Sequence, residues 1–266
     1  FTNMRRQLLF TAIAVMFAFY IKSQTTLAPG DIRVINVNSD SPKNFGFICF
    51  KNLEKGTIIN ITDKAWIADS LKFSDGEGNL NFIADTTIPA GSIINFNGIE
   101  DKCFSKTGSF NPSTSGENYI FFQINNSDTI FIYGIGWAKN QKSNWEYLNS
   151  SQGKNSTSDI PPGLSIEEGS IFYLSNLDNY MYDISNGLSG NEEIIKSFLS
   201  DVNNYLSDDD EAFKNIDTTF TIINQNKISP PVVGLTVICK NSNEYTLNAE
   251  GVRLRFYNDS LLSENF

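Results

Sequence analysis

Three carboxylates surround a tryptophan in the first third of the chain. Asp63 precedes Trp66, and Asp75 and Glu77 follow it in a stretch that contains glycines. Carboxylates that alternate with glycine on flexible loops can wrap a calcium ion, which takes several oxygen ligands. A pair of carboxylates is also the machinery of acid–base glycoside cleavage. The spacing matches neither an EF-hand loop nor a fixed glycosidase pattern, so a loop held by hydrogen-bonding acids is the third interpretation.

A second acidic run follows residue 207. Asp208 and Asp209 are the first of four adjacent acids, which together attract cations. We therefore predict Asp208 and Asp209 as ligands of a loose calcium site, although runs of this kind are more often solvated. Calcium is the one cofactor that these patterns suggest.

Aromatic side chains could supply a different chemistry, stacking on the apolar faces of sugar rings. Trp145 lies in a polar stretch, residues 140–146, and is predicted to be exposed. Trp66 and Tyr147 complete the candidate sugar-binding face, which would make a polysaccharide or another cell-surface component the partner. Trp137 follows an apolar run and is predicted to belong to the core. Packing in the core and in hairpins is the alternative for the whole set.

Composition excludes several classes of site. The 266 residues contain no histidine, which removes Ser-His-Asp and Cys-His catalysis, histidine-ligated zinc and histidine pH switching. The 30 acidic and 20 basic residues give a net charge of −10, and an acidic surface repels nucleic acid. Cys49, Cys103 and Cys239 show no CxxC spacing. Pairing of two of them and buried free thiols both remain open.

The elements that must position these residues are strands. The chain has 21 Phe and 10 Tyr, which favour β structure. Apolar runs of strand length recur roughly every ten residues, separated by Gly, Pro, Asn and Asp. The predicted strands are 31–37, 44–50, 56–62, 80–84, 91–96, 118–124, 129–135, 170–174 and 219–223. This pattern predicts an all-β fold, an antiparallel β-sandwich of the jelly-roll or immunoglobulin-like type.

Turn chemistry repeats along the chain. Gly56, Gly91 and Gly169 stand in similar phrases ahead of a strand, so we expect each to adopt a positive φ. The unequal spacing of the phrases argues against a solenoid. Residues 125–128, Asn-Asn-Ser-Asp, lie between two apolar runs and are predicted to form a hairpin turn.

One covering helix is predicted over residues 192–206. Asn191 can cap its start, and Glu192 and Glu193 suit the positive end of a helix. The apolar residues from Ile194 to Leu206 fall at helical spacing. We expect this helix to pack on the sandwich as a structural cover.

The chain divides into four predicted parts. Residues 1–24 carry two arginines, a 13-residue apolar run from Leu8 to Tyr20 and a small, polar exit, the pattern of a secretory signal peptide. Residues 25–223 form the sandwich, and 224–231 read as a linker. Residues 232–266 are either extra strands or the start of a truncated immunoglobulin-like module. The protein is therefore expected to be secreted or on the outer cell surface, with no membrane span after cleavage.

Eight short phrases of the chain form a recognisable series: Pro29–Ile32, Asn36–Asp40, Asn44–Phe47, Lys55–Trp66, Gly76–Gly78, Ala90–Ile93, Ile160–Leu164 and Tyr205–Asp209. Together they resemble the N-terminal β-sandwich domain of secreted, type IX cargo-like proteins of Bacteroidota. The resemblance covers about residues 28–223. Ala65 stands where that group has glycine, and Tyr205 where tryptophan is common. The resemblance implies export, a β-sandwich and service as an N-terminal module, and it transfers no catalytic residue.

Three functions follow from these patterns. The leading one is a secreted, non-catalytic β-sandwich module for binding, adhesion or structure at the cell surface. The first alternative is a carbohydrate-binding module that uses Trp145 and its aromatic neighbours. The second is a carboxylate-dependent hydrolase built on Asp63, Asp75 and Glu77. A non-enzyme is favoured because no catalytic constellation is recognisable.

Overall fold

The structure, a computed structural model, describes residues 24–137, 145, 157–174 and 177–223. They belong to the first of two compact units of the chain, which ends at Ile223. The predicted signal peptide up to residue 23, the predicted linker, the segment 232–266 and Tyr147 lie outside the described residues.

Strands make up most of the regular secondary structure of the described chain. They are β1 (Ile32–Asn38), β2 (Asn44–Cys49), β3 (Ile58–Thr62), β4 (Trp66–Ile67), β5 (Lys72–Phe73), β6 (Asn79–Ile83), β7 (Ile93–Phe96), β8 (Phe104–Thr107), β9 (Glu117–Asn125), β10 (Asp128–Trp137), β11 (Ile171–Leu174), β12 (Asn179–Tyr182), β13 (Ser189–Gly190), β14 (Tyr205–Asp208) and β15 (Thr221–Ile222). The described helix α1 spans Glu192–Phe198, and 3-10 turns span Ala68–Ser70, Ile184–Asn186 and Val202–Asn204.

Two larger sheets enclose the main core. One has five strands in the order β14-β12-β1-β2-β7, and the other has six in the order β11-β10-β9-β3-β6-β8. Pairing within them is antiparallel except between β10 and β11. Ring contacts join the two sheets: Phe45 of β2 lies 5.0 Å from Tyr119 of β9. The predicted all-β, antiparallel sandwich-like fold is confirmed.

Strand prediction from periodicity succeeds because these strands bury one or both faces. Each of the nine predicted strands coincides with an observed one, with ends that shift by at most two residues. The strands that were not predicted are short or polar: β4, β5, β8, β12, β13 and β14. β8, for example, has one buried apolar residue, Phe104, among Ser, Lys and Thr.

The predicted turns are also confirmed. Gly56, Gly91 and Gly169 have φ values of 88°, 81° and 68°, a region that side chains disfavour. β9 and β10 are joined through Asn126 and Ser127, whose φ values of 51° and 94° are those of a tight hairpin.

The predicted helix is too long. α1 ends at Phe198, and residues 205–208 form β14, which pairs with β12 at the edge of the five-stranded sheet. The side chain of Asp201 accepts a hydrogen bond from the backbone N–H of Asn203, which offers this segment an alternative to helical pairing. The apolar spacing fitted both conformations, but Leu206 is exposed rather than packed on the sandwich.

Two further findings concern the whole described chain. Cys49 is a buried free thiol and Cys103 is a half-buried one, while Cys239 lies outside the described residues. Residues 24–137, 145, 157–174 and 177–223 include no helix with the length and apolar character needed to cross a bilayer.

Candidate functional site

Asp63 is a buried brace rather than a free carboxylate. It directly follows β3 and is 1% exposed. Its Oδ1 accepts from the backbone N–H of Gly78 at 2.8 Å, and its Oδ2 accepts from that of Asn111 at 2.9 Å. One side chain therefore ties two separate loops to the end of β3. Of the three interpretations of this region, calcium site, catalytic pair and loop held by hydrogen-bonding acids, the third is the one that fits Asp63.

Glu117 joins Asp63 and Glu77 in what we call the carboxyl cluster. Glu117 begins β9 and is 2% exposed. No local pattern marks this residue in the sequence, because it stands alone between Gly116 and Asn118. Burial raises its pKa well above the usual range, and the charges of Glu77 and Asp63 raise it further. Burial, then the charge of Asp63, also raises the pKa of Glu77 to about 8. Both groups consequently favour the protonated form.

The residues predicted as calcium ligands are not gathered into a metal site. Asp75 is exposed, whereas Asp63 is fully buried. Asp208 accepts from the backbone N–H groups of Asp210 and Glu211, both at 2.8 Å, and these bonds lower its pKa. Within the described ranges, no three acidic or cysteine side chains form a group that could hold a metal ion, Asp209 included.

A glutamine at position 77 is expected to stabilise the protein increasingly as pH rises above about 4.5, with the full gain reached above about 8. The pKa of Glu77 rises from 4.5 to about 8 on folding, so between these values the folded state holds a proton that the unfolded state has lost. Stability then falls as pH rises through this window, and the loss is complete above it. Glu77→Gln removes the ionisable group. Since Glu77 is partly exposed, solvent screening limits the gain at pH 9 to about 1–2 kcal/mol.

Thermal unfolding at pH 4 and pH 9 measures this effect. The melting temperature of Glu77→Gln should match that of the wild type at pH 4 and exceed it at pH 9. Glu167→Gln, the same change at an exposed position, is the control and should shift neither value. Equal melting temperatures of wild type and Glu77→Gln at pH 9 would show that Glu77 ionises normally.

The prediction that Trp145 is exposed is wrong. Trp145 is 7% exposed, and its Nε1 donates to the carbonyl oxygen of Phe172 at 3.2 Å. Its ring lies over Gly134 of β10, where an added Cβ would come within 2.8 Å of Trp145 Cη2. Because Gly134 has no side chain, the indole fits over it. The polar residues 140–146 around Trp145 gave no sign of this burial in the sequence.

Trp66 is buried in the same place. It is 7% exposed, and its ring lies 4.9 Å from that of Phe131 and 5.3 Å from that of Phe73. With Trp145 and Ile120 these residues form a second apolar cluster, on the side of the six-stranded sheet that faces away from the main core. Trp137 lies in the main core and is fully buried, as predicted. Trp66 and Trp145, the described residues of the predicted sugar-stacking face, therefore pack in the interior of the protein.

A cavity of about 250 Å³ opens where the two larger sheets end side by side; we call it the edge cavity. The edge strand of one sheet, β7, contributes Phe96, and the edge strand of the other, β8, contributes Lys106. Phe45 and Tyr119 extend the apolar floor into the main core. Two loops, with Lys43 and Asn111, complete the wall.

Two lysines point their ammonium groups at neutral oxygens around this cavity. Lys43 Nζ donates to Asn111 Oδ1 at 3.1 Å and to the carbonyl oxygen of Pro112 at 2.7 Å. Lys106 Nζ donates to the carbonyl oxygen of Gly98 at 3.1 Å and lies 5.0 Å from the centre of the Phe96 ring. Among the described residues, neither ammonium has a carboxylate within 4.0 Å.

The remaining polar side chains of the described lining are three amides and the hydroxyl of Tyr119. Asn44, Asn97 and Asn111 line the cavity together with the two lysines, and none of the lining residues that the structure describes is acidic. Asp63 holds the backbone of Asn111 through its hydrogen bond to the N–H of that residue. This buried carboxylate, a candidate site residue in the sequence, therefore positions one wall of the edge cavity. No local sequence motif predicts the cavity itself. Comparisons of the chain with protein-family models, with curated proteins and with solved structures found no match.

Proposed function

We propose that the protein is an exported, non-catalytic binding module that takes a saccharide into the edge cavity. The proposal of export rests on the signal-like residues 1–24 and on the resemblance to secreted N-terminal domains. The observation that carries the binding proposal is the pair Lys43 and Lys106, two ammonium groups that face one cavity without a carboxylate partner in the described chain.

The chemistry of the lining favours a saccharide. Small-molecule sites combine a mostly apolar concave wall with a few polar groups that fix orientation. Here Phe45, Phe96 and Tyr119 provide the apolar floor, and the asparagines and lysines provide the polar groups. An amide both donates and accepts hydrogen bonds, and an ammonium donates three, which suits a ring that carries several hydroxyl groups.

The carboxyl cluster supports a role other than catalysis. Both oxygens of Asp63 hold backbone N–H groups, and Glu117 is buried at the start of β9. Asp75, the third member of the hydrolase alternative, is exposed. Asp63 thus serves to hold two loops, one of which carries Asn111 of the edge cavity.

Retention on immobilised polysaccharides tests the proposal. The panel is cellulose, xylan, dextran, polygalacturonate and alginate. Wild type should be retained by at least one of them, and Asn111→Ala should weaken that retention about tenfold, because it removes one cavity amide and the oxygen that anchors Lys43. The backbone N–H that Asp63 holds is kept in this variant.

Asn81→Ala is the matched control, since Asn81 lies on the outer side of the six-stranded sheet, away from the core. It should bind as wild type does. Failure of wild type on the whole panel, or unchanged retention of Asn111→Ala, would contradict a saccharide site in the edge cavity.

A further inference from the structure

We infer that the edge cavity selects saccharides that carry a carboxylate, with Lys43 and Lys106 as the partners of that group. This inference rests on the proposed function and names the class of ligand. It follows from the distribution of charge, from the hydrogen-bonding capacity left on the two lysines, and from the way in which both side chains are held.

The charge of the edge cavity opposes that of the protein. The chain carries 30 acidic and 20 basic residues, yet the lining, as far as the structure describes it, has two lysines and no acid. Glu100 uses its carboxylate to accept from the backbone N–H of Lys106 at 2.6 Å, and Glu117 is buried at the start of β9. Neither ammonium has a carboxylate of a described residue within 4.0 Å. A cleft lined by one sign of charge attracts the opposite sign.

Both ammonium groups keep free donors. An ammonium has three N–H groups. Lys43 uses two of them on neutral oxygens, and Lys106 uses one. A carboxylate accepts hydrogen bonds at both of its oxygens, and bonds between charged groups are roughly twice as strong as those between neutral groups. The remaining donors fit a carboxylate better than they fit a hydroxyl group.

The two side chains are also held before the ligand arrives. Lys43 is anchored by Asn111 and Pro112, and Lys106 by Gly98 and the ring of Phe96. Fixing a long side chain in its bound position lowers the entropic cost of binding. The cavity of about 250 Å³ lies below the usual size range of drug-sized sites, so it suits one terminal ring whose chain continues into solvent.

A saccharide acid and its methyl ester, which removes each charge and adds a methyl group, test this selection. Trigalacturonate carries a carboxylate on each ring, and its methyl ester has the same rings without the charges. Calorimetric titration of the full chain should give an affinity at least tenfold higher for the acid than for the ester. The affinity for the acid should fall as salt is raised, while that for the ester should not.

Variants assign the difference to the two lysines. Lys43→Gln and Lys106→Gln should each weaken binding of trigalacturonate about tenfold and weaken binding of the ester by a clearly smaller factor, so that the preference for the acid is lost. Lys72→Gln removes the same charge at an exposed position of β5 and should change neither affinity. Circular dichroism melts of the variants check that a lost affinity does not come from unfolding.

The outcomes separate this inference from the proposed function. Equal affinity for acid and ester would overturn charge selection and keep the saccharide site. Binding of neither ligand, together with failure on the polysaccharide panel, would overturn both. Hexaglutamate that binds as tightly as trigalacturonate, with the same dependence on the two lysines, would replace the saccharide by an acidic peptide and so overturn the inference.

Discussion

Replacing Trp145 by alanine is expected to lower the free energy of unfolding by about 3–5 kcal/mol, the range of buried Trp-to-Ala changes. The ring fills the space over Gly134 in the second apolar cluster and is 7% exposed. Alanine leaves a cavity there and deprives the carbonyl oxygen of Phe172 of its indole donor. Chemical denaturation of both proteins measures the difference.

Trp145→Phe separates the two contributions. Phenylalanine keeps an aromatic ring over Gly134 but has no N–H, so we expect a smaller loss than for alanine. An alanine variant with wild-type stability that loses polysaccharide retention would contradict this packing role and restore Trp145 as a sugar-stacking residue.

Replacing Asp63 by alanine is expected to cost about 2–4 kcal/mol of stability. The change strands the buried backbone N–H of Gly78, and an unsatisfied buried donor costs about 1–3 kcal/mol. It also removes the part-buried bond to the backbone N–H of Asn111, which costs less because water can replace the carboxylate there. It also frees the loop that carries Asn111, so saccharide retention should weaken in protein that remains folded.

Asp63→Asn and Asp75→Ala are the comparisons. An asparagine keeps one acceptor oxygen, so its loss of stability should lie between those of alanine and wild type. Asp75 is exposed, and its change to alanine should alter stability by less than about 0.5 kcal/mol. An Asp63→Ala protein as stable as wild type would mean that the brace is not what holds the two loops.

The strands were predictable because buried apolar residues recur in runs of strand length along the chain. β2 and β9 combine aromatic residues that touch across the core, such as Phe47 and Phe121 with ring centres 5.3 Å apart. The hairpin at Asn126 was predictable from its own turn chemistry. The end of α1 was not, because the apolar spacing of residues 198–206 suits a helix and equally a turn followed by a strand.

The edge cavity could not be predicted for a different reason. Its lysines lie in separate loops and strands, and only the arrangement of the edge strands β7 and β8 brings them together. Asp63 was found as a candidate because carboxylates near glycine form a local pattern. The role of Asp63 could not be predicted, because the two N–H groups that it binds belong to loops 15 and 48 residues further along the chain.

The most direct test of the saccharide site is a nuclear magnetic resonance titration of the isotope-labelled protein with trigalacturonate. We expect progressive shifts of backbone signals that are concentrated at Lys43, residues 97–99, Lys106 and Asn111. The signals of the second apolar cluster, Trp66 and Trp145 included, should remain in place. A spectrum without shifts, or shifts centred on that cluster, would contradict binding in the edge cavity.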